Sequence, residues 1–334
     1  MNRIPRIALI LTGGTIDSVG TDRLDLAWYM EAGKRLGEGE LLAQVPELAK
    51  IASVQEIAFR RLPSHALVDK DWLELVRRIH AILDQDQADG IVITHGTNTL
   101  EETAYFLNLV LKSERPVVLV GSMRPSSAIS ADGYLNVINA VRVAADPSSR
   151  GRGCLVVMND TIFSARDVTK TSTYRVQAFQ SRDMGPLGLA DADGRVIYYH
   201  QPARKHTVET EFDVRSVSSL PRVDIVVSYV GADGAMIEAA VAAGAKGIVS
   251  AATGAGRPTP LEDAAFDKAR AEKGVLMCLS SRVGSGRVVR SPGLARRGFV
   301  AADNLQPWKA RILLSLALTR TKDAGEIQRM FDTY

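Results

Sequence analysis

The sequence predicts an α/β protein of two open-sheet domains, a larger N-terminal domain and a smaller C-terminal one. Short apolar runs rich in Val and Ile recur along the chain, each bounded by Gly, Asp or Pro. Longer segments, with apolar residues three and four positions apart, lie between them. Such an alternation of buried strands and amphipathic helices is typical of a largely parallel sheet that is covered on both faces.

The apolar runs have the length and composition of buried strands. In chain order they are RIALIL, GIVIT, PVVLVGS, GCLVVMND, VDIVVSYVG, KGIVSA and GVLMCLS. The predicted helices each carry one apolar face. They are DWLELVRRIHAIL, TLEETAYFLNLVL, LNVINAVRVAA, MIEAAVAAG and PLEDAAFDKARAEKG.

The alternation breaks between residues 196 and 222, where the chain is polar, contains two prolines and shows no sustained period. We predict an interdomain linker there. The N-terminal catalytic domain then spans residues 1–195 and the C-terminal domain residues 223–334, both of ordinary domain size.

The composition indicates a globular protein that acts on a small molecule. The 334 residues are 46% hydrophobic and 24% charged, and the net charge is only +3. Because Lys, Arg, Asp and Glu are interspersed, we expect neither nucleic acid nor a membrane surface as a partner. Cys154 and Cys278 lie in apolar runs and are expected to be buried free thiols. Without an apolar span or signal-peptide pattern, the expected location is the cytoplasm.

The residues that follow the predicted strands are rich in hydroxyl groups. Ligands of open α/β sheets bind at the carboxyl ends of strands, so these positions matter most. The segments are TGGTID with Thr12 and Thr15, HGTNT with Thr97, Asn98 and Thr99, GSMRPSS, and NDTIFSARDVTKT with Asp160, Lys170 and Thr171. Such a set favours a site with a nucleophilic hydroxyl and a nearby amine base.

Each segment alone has a simpler interpretation. TGGT could be only a glycine turn, Lys170 a solvated loop lysine, and His95 a structural residue at a strand end. The dinucleotide fingerprint G-x-G-x-x-G and the P-loop lysine are both absent. The other histidines show no metal-ligand spacing; they are His65, His80, His200 and His206.

Taken together, the segments closely resemble the bacterial L-asparaginase family. The motifs are TGGTI, HGTNTLEETA, GSMRPSSAISADG and NDTIFSARDVTKT, in this order. The resemblance continues through GPLG, PARKHT, GIVSA, SSRV, GFVA and KAR, and so covers essentially the whole chain. It implies a threonine amidohydrolase that converts a carboxamide into a carboxylate and ammonia without a cofactor or a metal.

The resemblance also implies roles for particular residues. Thr15 matches the nucleophile that forms an acyl-enzyme, and Thr97 and Lys170 match the hydroxyl and the amine that manage its protons. Tyr29 matches the tyrosine of a mobile lid. The implied substrate-binding residues are Gly14, Ser64, His65, Gly96, Asn98 and Ser122.

Glycine suits this chemistry because a backbone amide approaches an oxyanion most closely where no side chain intervenes. The resemblance further implies a homotetramer, a dimer of dimers, in which the neighbouring chain's second domain completes each site.

The chain departs from the family where the family binds the substrate's α-ammonium group. Asn98 stands where the family has Asp, His65 where it has Gln, and Ala255 where it has Asn. The segment after SSRV, which supplies a glutamate in the family, has no acidic residue here. Its basic residues are Arg282, Arg287, Arg290, Arg296 and Arg297.

Removing the partner of a buried charge costs about 3–5 kcal/mol. We therefore expect a substrate that lacks the α-ammonium, such as a half-amide of a dicarboxylic acid. The alternative is that another acid takes over, such as Asp25 or Glu31 in the lid. The loss of the aspartate also predicts a lower pKa for Lys170, which would make it a better base near neutral pH.

Two other functions stay open. One is an ordinary L-asparaginase or glutaminase, and the other is a non-catalytic protein of the same fold that binds an amide or an amino acid. The presence of Thr15, Thr97 and Lys170 together argues against a pure binder. The lid segment also contains several apolar residues, which indicate a stiffer, more apolar cover or a contact with a neighbouring subunit; they are Leu24, Leu26, Trp28 and Met30.

Overall fold

A computed structural model describes residues 3–334 and has the two-domain α/β architecture that the sequence predicts. The chain divides into two compact units. The first ends at Glu209 and also contains Asp213–Arg215, and the second contains Thr210–Phe212 and Ser216–Tyr334. The change from one unit to the other falls within the segment predicted to be a linker.

Among its described residues, the first unit contains twelve short strands, five α-helices and five 3₁₀ turns, and three of its helices are longer than ten residues. Its strands are β1 (Arg6–Leu11), β2 (Ser18–Val19), β3 (Lys34–Arg35), β4 (Ser53–Ala58), β5 (Gly90–Thr94), β6 (Val117–Val120), β7 (Cys154–Met158), β8 (Thr161–Ser164), β9 (Thr169–Lys170), β10 (Phe179–Gln180), β11 (Gly188–Ala190) and β12 (Val196–Tyr198). Its α-helices are α1 (Tyr29–Ala32), α2 (Glu40–Ala43), α3 (Asp69–Asp84), α4 (Leu100–Val110) and α5 (Gly133–Ala145). Its 3₁₀ turns are Thr15–Asp17, Pro46–Lys50, Ser64–Ala66, Pro147–Ser149 and Thr207–Glu209.

The large sheet of the first unit is mixed. Its strand order is β12-β11-β8-β7-β6-β5-β1-β4. Strands β4, β1, β5, β6 and β7 are parallel, whereas β8, β11 and β12 are antiparallel to their neighbours. Asn159 and Asp160 have φ angles of 49° and 61°, as a two-residue hairpin turn requires, and they reverse the chain between β7 and β8. Val196–Tyr198, at the start of the predicted linker, is the edge strand of this sheet.

The inner parallel strands β1, β5, β6 and β7 are buried on both faces, which explains their uninterrupted apolar sequences, whereas the edge strand β4 is partly exposed. Every residue of β5 is buried. Alternate residues of β1, such as Ile7 and Leu9, share one core with Val137 and Val141 of α5. Helix α5 packs on β1, β5, β6 and β7, and helix α4 packs on β6 and β7.

The second unit is a smaller parallel sheet with helices. Its strands, β13 (Val223–Val227), β14 (Gly247–Ala252), β15 (Leu276–Ser281) and β16 (Val300–Ala301), lie side by side in chain order. Its helices are α6 (Ala235–Ala242), α7 (Pro260–Lys273), α8 (Pro292–Arg296), α9 (Pro307–Leu318) and α10 (Ala324–Thr333). Phe266 and Phe299 lie in its core. In the described part of the chain, no helix is both long enough and apolar enough to cross a bilayer.

Candidate active site

The turns that follow β1 and β5 lie side by side because these two strands are neighbours in the sheet. Leu11 at the end of β1 is in register with Thr94 at the end of β5. Beyond that pair, the hydroxyl Oγ1 of Thr12 donates to the carbonyl of Thr94 at 2.7 Å. The TGGT and HGTN motifs, far apart in the sequence, therefore meet at one edge of the sheet.

The contact between the two turns depends on a pair of glycines. Gly14 has a φ angle of 115°, and a Cβ atom on it would lie 2.6 Å from the backbone N and Cα of Gly96. A Cβ atom on Gly96 would in turn lie 2.7 Å from Ser64 Oγ. The next residues of the two turns, Thr15 and Thr97, therefore follow two backbones that meet without any side chain between them.

Thr15 bonds to a residue of the lid, which we define as residues 20–33. Its Oγ1 lies 2.9 Å from the hydroxyl of Tyr29, the first residue of α1. Burial raises the pKa of Tyr29, and the hydrogen bond with Thr15 only partly opposes this effect. The phenol therefore keeps its proton at neutral pH, where it is a hydrogen-bonding partner of Thr15 and not a base.

Thr97 bonds to an amine. Lys170, at the end of β9, donates from Nζ to Thr97 Oγ1 at 2.8 Å. Burial lowers the pKa of Lys170, and the negative charge of Glu101 opposes this shift. The expectation from the sequence concerned the loss of the family's aspartate, whereas this shift comes from burial of the ammonium. A lysine whose pKa is lowered loses its proton more readily and is a better base.

Glu101 is the residue of this site that the sequence interpretation missed. It is buried in the first turn of α4, and its Oε1 accepts the backbone N–H of Lys170 at 3.0 Å. The signal was present in the sequence, because an acidic residue lies two positions after the HGTNT motif. A buried carboxylate next to a lysine sets the charge balance of the site.

Ser64 offers a free hydroxyl beside these turns. It begins the 3₁₀ turn that follows β4, the strand next to β1, and its carbonyl accepts from Thr99 Oγ1 at 2.8 Å. Its Oγ is buried and has no hydrogen-bonding partner in the described part of the chain. Since an unpaired buried hydroxyl costs free energy, this group suits a polar ligand.

The remaining predicted site residues are placed differently. Asn98 and His65 are exposed in the single chain. Ser122 is buried, but its Oγ donates to the carbonyl of Arg124 at 2.8 Å within its own loop. Asp160 accepts from Asn139 Nδ2 at 2.8 Å, and Thr171 Oγ1 donates to the carbonyl of Ala178, so both bond locally within the fold.

His95 has the structural role that we expected for it. Its Nδ1 lies 2.8 Å from the carbonyl of Gly96, and its Nε2 lies 2.9 Å from Thr103 Oγ1. Thr103 Oγ1 also accepts from the indole of Trp72 at 2.9 Å. The carbonyl can only accept, so Nδ1 carries a proton. Burial lowers the pKa of His95 to about 4, so the ring is neutral at pH 7.

We expect His95 to make folding sensitive to acid. Its folded pKa of about 4 lies below its usual value of 6.5, so its contribution is complete above pH 6.5 and is lost as the pH falls towards 4. The loss amounts to about 3 kcal/mol. Urea unfolding at pH 7 and pH 4.5 measures it: His95→Gln should weaken the pH dependence, whereas the exposed His65→Gln should not. Equal pH dependence in the wild type and His95→Gln would contradict this role.

The basic segment of the second unit is largely engaged within that unit. Arg287 pairs with Asp303, and Arg290 Nε donates to the carbonyl of Phe299 at 2.9 Å. Arg297 pairs with Asp263 at 2.8 Å and with Asp267 at 2.9 Å. The two remaining arginines, Arg282 and Arg296, are exposed, and no described residue pairs with their side chains.

Comparisons with known proteins agree on one family. Residues 6–204 match the model of the asparaginase N-terminal domain, and residues 222–331 match that of the glutaminase/asparaginase C-terminal domain. The chain is 46% identical to L-asparaginase 2 of Escherichia coli (strain K12), over 99% of this chain and 94% of that protein. It is 44% identical to L-asparaginase 2 of Bacillus subtilis (strain 168), over 99% and 87% respectively.

A solved structure supports the same conclusion. The crystal structure of a probable cytoplasmic L-asparaginase from Campylobacter jejuni superposes with a TM-score of 0.89 at 40% sequence identity. The match covers 99% of this chain and 100% of that one. Fold and sequence agree over nearly the whole length, and the chain belongs to the asparaginase family of amidohydrolases.

Proposed function

We propose that the chain hydrolyses the carboxamide of a small carboxylate through an acyl-enzyme on Thr15. The observation that carries this proposal is the presence of two hydrogen-bonded pairs on adjoining turns, Thr15 with Tyr29 and Thr97 with Lys170. One pair offers a hydroxyl nucleophile and the other offers an amine whose pKa is lowered. Nucleophile and base within reach of oriented partners are the pattern of covalent catalysis.

In the proposed reaction, Thr15 Oγ1 attacks the carbonyl carbon of the amide. Its proton passes to neutral Lys170 through Thr97, and then to the nitrogen that leaves as ammonia when the C–N bond breaks. Water then attacks the ester on Thr15, releases the carboxylic acid and returns the proton to Thr15. Backbone amides beside Gly14 and Gly96 stabilise the oxyanion. The free hydroxyl of Ser64 binds the substrate's carboxylate.

We further propose that the substrate lacks an α-ammonium group. Asn98 is neutral and cannot balance the charge of an α-ammonium. The two lid acids that could replace it, Asp25 and Glu31, are poorly suited to bind that group. Asp25 Oδ1 accepts the N–H of Trp28 at 2.9 Å, and Oδ2 accepts the N–H of Thr21 at 3.1 Å. Glu31 is exposed. An acid that is already hydrogen-bonded through both oxygens is a weak partner for a second cation.

Succinamate, a half-amide of a dicarboxylic acid, is L-asparagine without the α-ammonium group. The substrate proposal predicts that kcat/KM for succinamate exceeds kcat/KM for L-asparagine. Ammonia release in a coupled assay measures both values. Asn98→Asp should shift the ratio towards L-asparagine by about 10- to 100-fold, because it restores a negative charge for the ammonium. Asn98→Ser, which adds no charge, is the matched control. A wild-type preference for L-asparagine would contradict the proposal.

An ordinary L-asparaginase is the second candidate, since the two relatives above carry that name. The same assay on L-asparagine, L-glutamine and succinamate separates the two, and no ammonia from any amide would favour a binding protein. The homotetramer and the cytoplasmic location stay predictions. One relative is named cytoplasmic, and another, from Haemophilus influenzae, is named periplasmic.

A further inference from the structure

The lid is held at its base by the elements that flank it. It begins after β2 and ends before β3, and these strands pair with each other, with Ser18 opposite Arg35. Arg35 also forms an ion pair at 3.2 Å with Asp17, which lies in the same 3₁₀ turn as Thr15. Both ends of the lid are therefore tied to the segment that carries Thr15.

Within the lid, the chain folds around the carboxylate of Asp25. Oδ2 accepts from the backbone N–H of Thr21 at 3.1 Å and from its hydroxyl at 3.3 Å, and Oδ1 accepts from the N–H of Trp28 at 2.9 Å. The side chain is only 8% exposed. Backbone hydrogen bonds, chiefly that of Thr21, lower the pKa of Asp25, so the carboxylate is ionised at neutral pH.

The neighbouring backbone leaves room for this carboxylate. A Cβ atom on Gly20 would lie 3.0 Å from both Cβ and Oδ2 of Asp25. The lid is also bonded to the loop beside it: Gly20 N–H donates to Ser127 Oγ at 2.8 Å, and Ile129 N–H donates to the carbonyl of Arg23 at 2.9 Å. Asp25 is thus the internal link between this anchored half of the lid and the start of α1.

We propose that Asp25 is a positioning residue for the reaction. By holding Thr21 and Trp28 together, it fixes the first turn of α1, and with it the hydroxyl of Tyr29 at 2.9 Å from Thr15 Oγ1. This inference rests on the proposed function, because it takes Thr15 to be the nucleophile. Asp25 acts only through Tyr29 and touches neither Thr15 nor the substrate.

A double-mutant cycle between Asp25 and Tyr29 tests the inference. Asp25→Ala should lower kcat by about 10- to 100-fold, the range expected for a misplaced group, with a smaller effect on KM. In the Tyr29→Phe background, the same change should alter kcat less than about threefold, because the hydroxyl that it positions is gone. Asp25→Asn keeps one acceptor oxygen and should give an intermediate value.

Controls distinguish positioning from a general effect on folding. Asp22→Asn removes one negative charge from the same lid while keeping an acceptor oxygen for the N–H of Leu24, and its kcat should equal that of the wild type. Thermal unfolding identifies variants that do not fold. If Asp25→Ala does not fold, Asp25→Asn takes its place in the double-mutant cycle. Equal losses from the Asp25 change in both backgrounds overturn the inference. If Thr15→Ala retains turnover, the proposed function fails, whatever the cycle shows.

Discussion

Thr15→Ala is expected to lower kcat by at least about 10⁴-fold, the scale on which the loss of a catalytic nucleophile acts. The variant lacks the oxygen that would carry the acyl group, and no hydroxyl replaces it at that position. The hydrogen bond to Tyr29 disappears with it. Ammonia release from the best substrate among L-asparagine, L-glutamine and succinamate measures kcat. Mass spectrometry of the wild type quenched during turnover should detect an acyl adduct on the peptide that contains Thr15.

Thr12→Val is the matched control for this change. Thr12 belongs to the same turn, but its hydroxyl donates to the carbonyl of Thr94 and is fully engaged in the fold. Removing this hydroxyl should lower the free energy of unfolding by about 1 kcal/mol. Its effect on kcat should be small. A kcat for Thr15→Ala as high as that of the wild type and of Thr12→Val would exclude Thr15 as the nucleophile.

Lys170→Met is expected to lower kcat by about 10²- to 10⁴-fold, which is the usual contribution of general acid–base catalysis. Methionine fills a similar volume but leaves Thr97 Oγ1 without its amine partner. In the wild type, kcat/KM should rise with pH as Lys170 loses its proton. Because burial lowers the pKa of Lys170, this rise should lie below the usual lysine value of 10.5. A pH series of initial rates measures the rise.

Glu101→Gln provides a control on the origin of that pH dependence. The change keeps an oxygen that can accept the N–H of Lys170, but it removes the negative charge that raises the pKa of the lysine. The rise of kcat/KM should therefore move to lower pH. A rise that stays in place in Glu101→Gln, together with an active Lys170→Met variant, would show that another group is the base.

The sequence carried enough information to predict seven of the parallel strands, β1, β5, β6, β7, β13, β14 and β15, and five of the helices, but not the parallel edge strands β4 and β16. The apolar runs of the seven strands are long and are bounded by Gly, Asp or Pro, as in RIALIL and GIVIT. The antiparallel half of the first sheet was not predictable in the same way. Strands such as β11 and Val196–Tyr198 have only three residues, too few to show a period of two.

The site was predictable in its residue types but not in its contacts. Hydroxyl groups at strand ends indicated a covalent mechanism, yet strand order is not encoded locally, so the adjacency of β1 and β5 had to come from the structure. The arginines after SSRV illustrate the same limit. Their partners, such as Asp263 and Asp303, are distant in sequence, and the segment alone read as unpaired positive charge.

The close approach of Gly14 to Gly96 limits how this enzyme can be redesigned. The turns that carry Thr15 and Thr97 meet through two backbones that already touch, so their spacing cannot be adjusted by exchanging side chains. Room for bulkier amides therefore has to come from another element of the site. The lid, which contacts Thr15 through Tyr29, presents Leu24, Trp28 and Met30 as exposed side chains that substitution can trim.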